Sequence, residues 1–100
     1  MIVHITGEAE HELERIGDYI AQDSPKRALT FVRELREQCL SLTNMPLAFP
    51  LVPRYEVYGI RRRAHGNYLI FYRVEADRVV VLHVLHGVMD YAAILFQDEA

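Results

Sequence analysis

Two histidines, a tyrosine and a run of arginines are the side chains in this sequence that could do chemistry. His83 and His86 sit three apart in the apolar stretch Arg78-Val-Val-Val-Leu-His-Val-Leu-His86, and Tyr91 follows after a Gly-Val-Met-Asp segment. Histidine titrates nearest neutral pH and suits general-base work. Strand alternation sends residues three apart to opposite faces, so His83 and His86 are poorly placed to share one metal or one acid–base site. They read as structural or partner-contact positions, and His86 with Tyr91 is the pairing that proton transfer would use. Neither a metal nor a cofactor is expected.

Arg61-Arg62-Arg63 carries the second claim. In a strand, Arg61 and Arg63 share one face, and Arg62 lies on the other with Ile60 and Ala64. Three readings stay open: a solvated strand whose charges discourage edge-to-edge aggregation, a salt bridge to an acidic partner segment, or contact with phosphate. Cys39 is the only cysteine, which excludes an internal disulfide, and its helical setting marks it as a small buried hydrophobe.

These residues need a scaffold, and the pattern of the chain supplies one. Ile2 to Ile5 is short and β-prone. Thr6 can cap a helix whose first turn holds Glu8 and Glu10, and Ala9, Leu13, Ile16, Gly17 and Ile20 recur at helical spacing. Asp23-Ser24-Pro25 restarts a second helix with the stripe Ala28, Phe31 or Val32, Leu35, Cys39 and Leu42, running to about Asn44. So short a connection makes the two helices antiparallel. Met45 to Pro53 holds three of the four prolines and reads as an extended connector. Strands are expected at Val57 to Ala64, Tyr68 to Glu75 and Arg78 to His86, with turns at His65-Gly66-Asn67 and Ala76-Asp77, before a short helix over Asp90 to Phe96. The order is β-αα-βββ-α, an α+β fold in which an antiparallel sheet packs on a helical hairpin and leaves its other face for function. Tyr68 to Val74 is apolar on both faces and should be central, and the first strand should pair beside the last or the central one.

One hundred residues that are 51% hydrophobic can bury one core but leave no room for a second domain. No run approaches a membrane span and no signal segment opens the chain, so a cytoplasmic, membrane-free protein is expected. The net charge of −3 is unevenly spread: the first 23 residues carry −5, residues 24–44 carry +2, and the rest balances. A chain without a global positive field favours a protein partner over nucleic acid. The acidic face of the first helix reads as solvated, and any partner it had would be basic. Tyr19, Phe31, Phe49, Tyr55 and Tyr58 are candidates either for core packing or for exposed anchors.

The helical hairpin, Gly59-Ile60-Arg61-Arg62, the run Tyr68-Leu-Ile-Phe-Tyr-Arg-Val and the ending Val84-Leu85-His86-Gly87, in this order, resemble ParE toxins of the RelE/ParE superfamily along nearly the whole chain. The resemblance implies a type II toxin–antitoxin system, with growth arrest and plasmid stabilisation as its setting. It further implies DNA gyrase as the target and sequestration by a ParD-like antitoxin. Such antitoxins dimerise through DNA-binding parts, which implies a heterotetramer or larger complex touching DNA only through the antitoxin. The antitoxin would lay an amphipathic helix over the hairpin and an extended segment across the sheet, with contacts at Leu29, Val32, Arg36, Ile60 and Arg62. Target contact would fall on Met89, Asp90, Tyr91, Leu95 and Phe96.

The RelE branch instead cleaves mRNA on the ribosome, and needs basic residues beside the scissile phosphate with a proton-transfer group. RelE-like ribonucleases place an arginine after the aromatic matching Tyr68, a basic residue after the glycine matching Gly87, and a tyrosine in the last helix. This chain has Leu69, Val88-Met89 and Leu95 there, so it is expected not to be an enzyme. A RelE-like ribonuclease and a non-toxic antitoxin-binding relative remain the alternatives.

Overall fold

Thr6 is the hinge between the first strand and the first helix. In the computed structural model, which describes residues 1–96, β1 spans Ile2–Ile5 and α1 spans Gly7–Ala21. The Thr6 hydroxyl accepts from the Ala9 amide at 3.2 Å and caps α1. Ser24 does the same for α2 (Pro25–Leu40), accepting from the Arg27 amide at 3.1 Å, with proline in the first turn. Both helices turn their apolar stripes inward: Ala9, Leu13 and Ile16 from α1, and Ala28, Phe31, Leu35 and Cys39 from α2. Gly17 lets the pair approach closely, since a Cβ there would lie 3.2 Å from Val32 Cγ2.

The sheet contains β2 (Ile60–His65), β3 (Tyr68–Val74) and β4 (Arg78–His86) in the order β1-β4-β3-β2. The meander β2-β3-β4 is antiparallel as expected, and β3 is interior. β1 lies beside the last strand and runs parallel to it, from Ile2 against Arg78 to Ile5 against Val81, so the sheet is mixed. β2 starts three residues later than the pattern suggests. Glu56–Tyr58 coils into a 3₁₀ turn, and Gly59, at φ 72°, reverses the chain into the strand in a conformation that side chains disfavour. The proline-rich connector is not free either. The Val52 amide donates to Ile60 O at 2.9 Å and the Arg62 amide to Pro50 O at 3.0 Å, which covers the edge of β2.

Both faces of the sheet are packed. Against the hairpin, Ile70, Tyr72, Val79, Val81 and Val84 join the helical stripes in the main core. The opposite face was expected to stand open, but Val52, Ile60, Phe71, Leu85 and Phe96 form a second buried cluster on it. The short helix α3 (Tyr91–Leu95) closes that cluster, capped by Asp90, whose Oδ1 accepts from the Ala93 amide at 3.3 Å. An irregularity in β4 links the two cores. Phe71 pairs with His83 and Tyr72 with Val81, so Leu82 is the extra residue of a β-bulge, and its side chain packs into the second cluster. No described helix is long and apolar enough to cross a membrane.

Candidate functional site: an arginine–tyrosine face and a hairpin groove

The three arginines of β2 separate as alternation requires, but none is merely solvated. Arg61 Nη1 donates to Phe49 O at 2.7 Å. Arg63 Nη1 donates to Gln38 O at 3.0 Å and Ser41 Oγ at 2.8 Å, and its guanidinium lies 4.6 Å from the centroid of Phe49. Gln38 is in the last turn of α2, so Arg63 also opposes the negative end of that helix. These two arginines fasten the connector and the end of α2 to the sheet. Arg62, on the other face, donates to Tyr91 Oη at 2.8 Å, with its guanidinium carbon 6.0 Å from the tyrosine ring centroid. Tyr91 in turn packs on Phe71 at 5.1 Å between ring centroids. Among the described residues, none of the three arginines has an acidic partner within salt-bridge distance.

Around this arginine–tyrosine pair, the exposed rim consists of Met89, Asp90 and the turn at Arg54, a non-glycine residue held at φ 74°. Val57 (90% exposed) and Val88 (86%) stand out nearby in sequence as bare aliphatic side chains. On the hairpin, a cavity of about 450 Å³ runs between α1 and α2, floored by Leu13, Gly17, Ala28 and Val32. Leu29 stands at its lip, 70% exposed, and Glu14 and Asp18 make its rim acidic.

The family description "ParE toxin of type II toxin-antitoxin system, parDE" matches residues 3–91. The chain belongs to the ParE toxin family. Among solved structures, it is similar to a chain of the chromosomal ParDE toxin–antitoxin system of P. aeruginosa, at 25% identity and a TM-score of 0.72, over 86% of this chain and 95% of that one. It also shares its fold with a chain of the RelBE2 toxin–antitoxin complex of Mycobacterium tuberculosis, at 24% identity and a TM-score of 0.62, covering 85% of this chain and 95% of the other. No curated protein matches in sequence.

In this ParE-family chain the ten residues singled out from sequence fall into three groups. Leu29, Met89 and Asp90 are surface positions. Val32 lines the hairpin groove, and Arg62 and Tyr91 hold each other. Ile60, Leu95, Phe96 and Arg36 are occupied internally: Ile60 and Phe96 are buried in the second cluster with Leu95 packed against it, and Arg36 forms a two-armed bond to Glu10 at 2.8 and 3.0 Å. That bond holds Glu10 below the usual carboxylate range and pushes Arg36 up. Of the aromatic candidates, Phe31 is core and Tyr19 is exposed, while Phe96 stacks on Tyr55 at 4.2 Å.

His86 and Tyr91 are not brought together. His86 lies edge-on to Tyr68 at 5.1 Å, on the hairpin face, whereas Tyr91 sits over Phe71 on the other. His86 Nδ1 accepts from the Val88 amide at 3.2 Å, which assigns the proton of the neutral ring to Nε2. His83 and His86 do border one cavity although the register between them is regular and sends them to opposite faces, because that cavity spans the outer edge of β4, lined by Val84 from one face and Leu85 from the other. The residue that sequence reasoning missed is Glu12, counted as part of a solvated acidic face. Its carboxylate accepts from His83 Nδ1 and from the Val84 amide, both at 2.8 Å. A histidine inside an apolar strand opposite an acidic helix was the available signal.

Proposed function

We propose that this protein is the toxin of a ParE–ParD-like pair, acting on DNA gyrase by binding and without covalent chemistry of its own, and neutralised by its antitoxin. The observation that carries this reading is the family match over residues 3–91, joined to the chemistry of the sheet's outer face. Where RelE-like ribonucleases place basic and proton-transfer groups, Leu69 and Leu95 pack into an apolar cluster and Val88 is an exposed aliphatic side chain. An aliphatic side chain cannot move a proton. The antitoxin takes the hairpin groove: an amphipathic helix sets its apolar side over Val32 and Leu29 and presents basic residues to Glu14 and Asp18. The target takes Met89, Asp90 and the face of α3, with Arg62 and Tyr91 behind them.

Expression in cells separates this reading from its alternatives. The gyrase reading expects a DNA-damage response with growth arrest, relieved by co-expressing a small dimeric antitoxin. Immediate translation arrest with cut transcripts would replace it with the ribonuclease reading, and normal growth with retained antitoxin binding would replace it with a non-toxic relative.

A further inference from the structure

β1 ends at Ile5, paired with Val81, yet β4 continues to His86. Beyond Val81 no strand among the described residues lies beside the outer edge of β4, and the bulge at Leu82 falls in this gap. An unpaired buried backbone group is costly, and α1 meets the need. The Thr6 amide donates to Val81 O at 3.1 Å and the Thr6 hydroxyl to Leu82 O at 3.2 Å. Two turns along, Glu12 Oε1 accepts from the Val84 amide and Oε2 from His83 Nδ1, both at 2.8 Å. The side chains of Thr6 and Glu12 thus complete the edge that β1 leaves unfinished. Glu12 and His83 are only 13% and 14% exposed, which sets this pair apart from the open ion pairs elsewhere on the surface.

The bulge faces both ways. His83 and Val84 are held by α1, while Leu82, the extra residue, packs into the cluster that Phe96 and Leu95 close. The open cavity beside His83 is also lined by Met89 and Ile94, from the C-terminal segment. We propose that the Glu12–His83 pair is a proton-controlled clamp that couples the helical hairpin to α3 through the β4 bulge. With His83 protonated, the bulge is locked and Leu82 stays seated under α3; with His83 neutral, the lock slackens and α3 opens more often. A bulge held by α1 on one side and packed into the second cluster on the other gives one face of the protein a route to the other.

The charged and titratable groups around His83 fix the direction of the effect. Glu12 and Glu8 from α1 face it, Glu8 Oε2 at 3.8 Å from Nε2, with Arg15 and Tyr19 further along the same helix. Tyr68 from β3 and His86 from β4 complete the set. The Glu12 hydrogen bond, opposed by burial and aided by both carboxylates, raises the His83 pKa above its ordinary 6.5. The stabilisation is therefore full below that ordinary value and is lost as pH rises through the raised one.

The test is amide hydrogen exchange of the full chain at about pH 6 and about pH 9, corrected for the intrinsic rate, with the His83 ring titrated by NMR. The Val84 amide and the Phe96 amide, which donates to Ala92 O at 3.0 Å, report the two sides of the bulge. Protection at both is expected to fall several-fold from the lower to the higher pH, together, and with the midpoint of His83. Glu12→Gln keeps an acceptor for the Val84 amide and so keeps the fold; in it, and in His83→Gln, the dependence should vanish at both amides. Dependence at Val84 without any at Phe96, or the same dependence in both variants, would overturn the coupling. The readout needs neither toxicity nor antitoxin, so it stands or falls apart from the proposed function.

Discussion

Tyr91 earns its place through one oxygen. It accepts from Arg62 at 2.8 Å, and Tyr91→Phe keeps the ring on Phe71 but leaves that guanidinium without its partner. A loss of about 1.5 kcal/mol in urea unfolding is expected, the low end for a hydrogen bond to a charged group because the pair is only partly buried. Cys39 is the opposite case, a thiol with no exposure whose pKa burial pushes up to about 12. It should react with a disulfide reagent at mildly alkaline pH only at the rate of unfolding; labelling of the folded protein within seconds would contradict its burial. Glu10, held low by Arg36, contributes stability above the ordinary carboxylate value of 4.5 that is lost as pH falls through its lowered pKa. Both partners are nearly half exposed, so Arg36→Gln should flatten the acid limb of the stability curve slightly while changing little else. Residue roles were the least legible part of the sequence. Arg36 and Glu12 read as surface charges because their partners, Glu10 and His83, are fixed by how helices dock, which periodicity does not encode.

At the scale of elements, local signals sufficed wherever the chain closes its own hydrogen bonds. Thr6 caps the helix it was expected to cap, the restart at Asp23-Ser24-Pro25 takes its cap from Ser24, and the stripes Ala9-Leu13-Ile16 and Ala28-Leu35-Cys39 face the core. What sequence missed lies between elements: the parallel seat of β1, the bulge at Leu82, and the second apolar cluster. An alternating strand with bulk on both faces was correctly read as interior, yet nothing local said that α3 would cover its outer side. That covering alters how the C-terminal segment must be probed. Removing it whole would expose Phe71 and Leu85, and even Phe96→Ala should cost about 3 kcal/mol by emptying the end of the cluster. Met89→Lys changes an exposed side chain instead, and is expected to weaken toxicity with an unchanged melting temperature. On the hairpin, Leu29→Glu adds charge to an acidic-rimmed groove at a position 70% exposed. At least a tenfold loss of antitoxin affinity is expected there, about 1.4 kcal/mol, with the fold intact; unchanged binding by titration calorimetry would move the antitoxin off this groove.

For the whole molecule, charge and topology divide the labour. The first 23 residues carry −5 and residues 24–44 only +2, so the hairpin keeps a net −3 and suits a basic partner, while the outer face offers the Arg62 guanidinium on a tyrosine. The two faces carry separate buried clusters, and the bulge in β4 adjoins both. Gyrase-catalysed supercoiling of relaxed plasmid, with purified antitoxin-free protein and with both supercoiled product and cleaved DNA scored, tests the central claim most directly. Dose-dependent loss of supercoiling, reversed by the antitoxin, is the result expected; full gyrase activity in the presence of excess folded protein would contradict it.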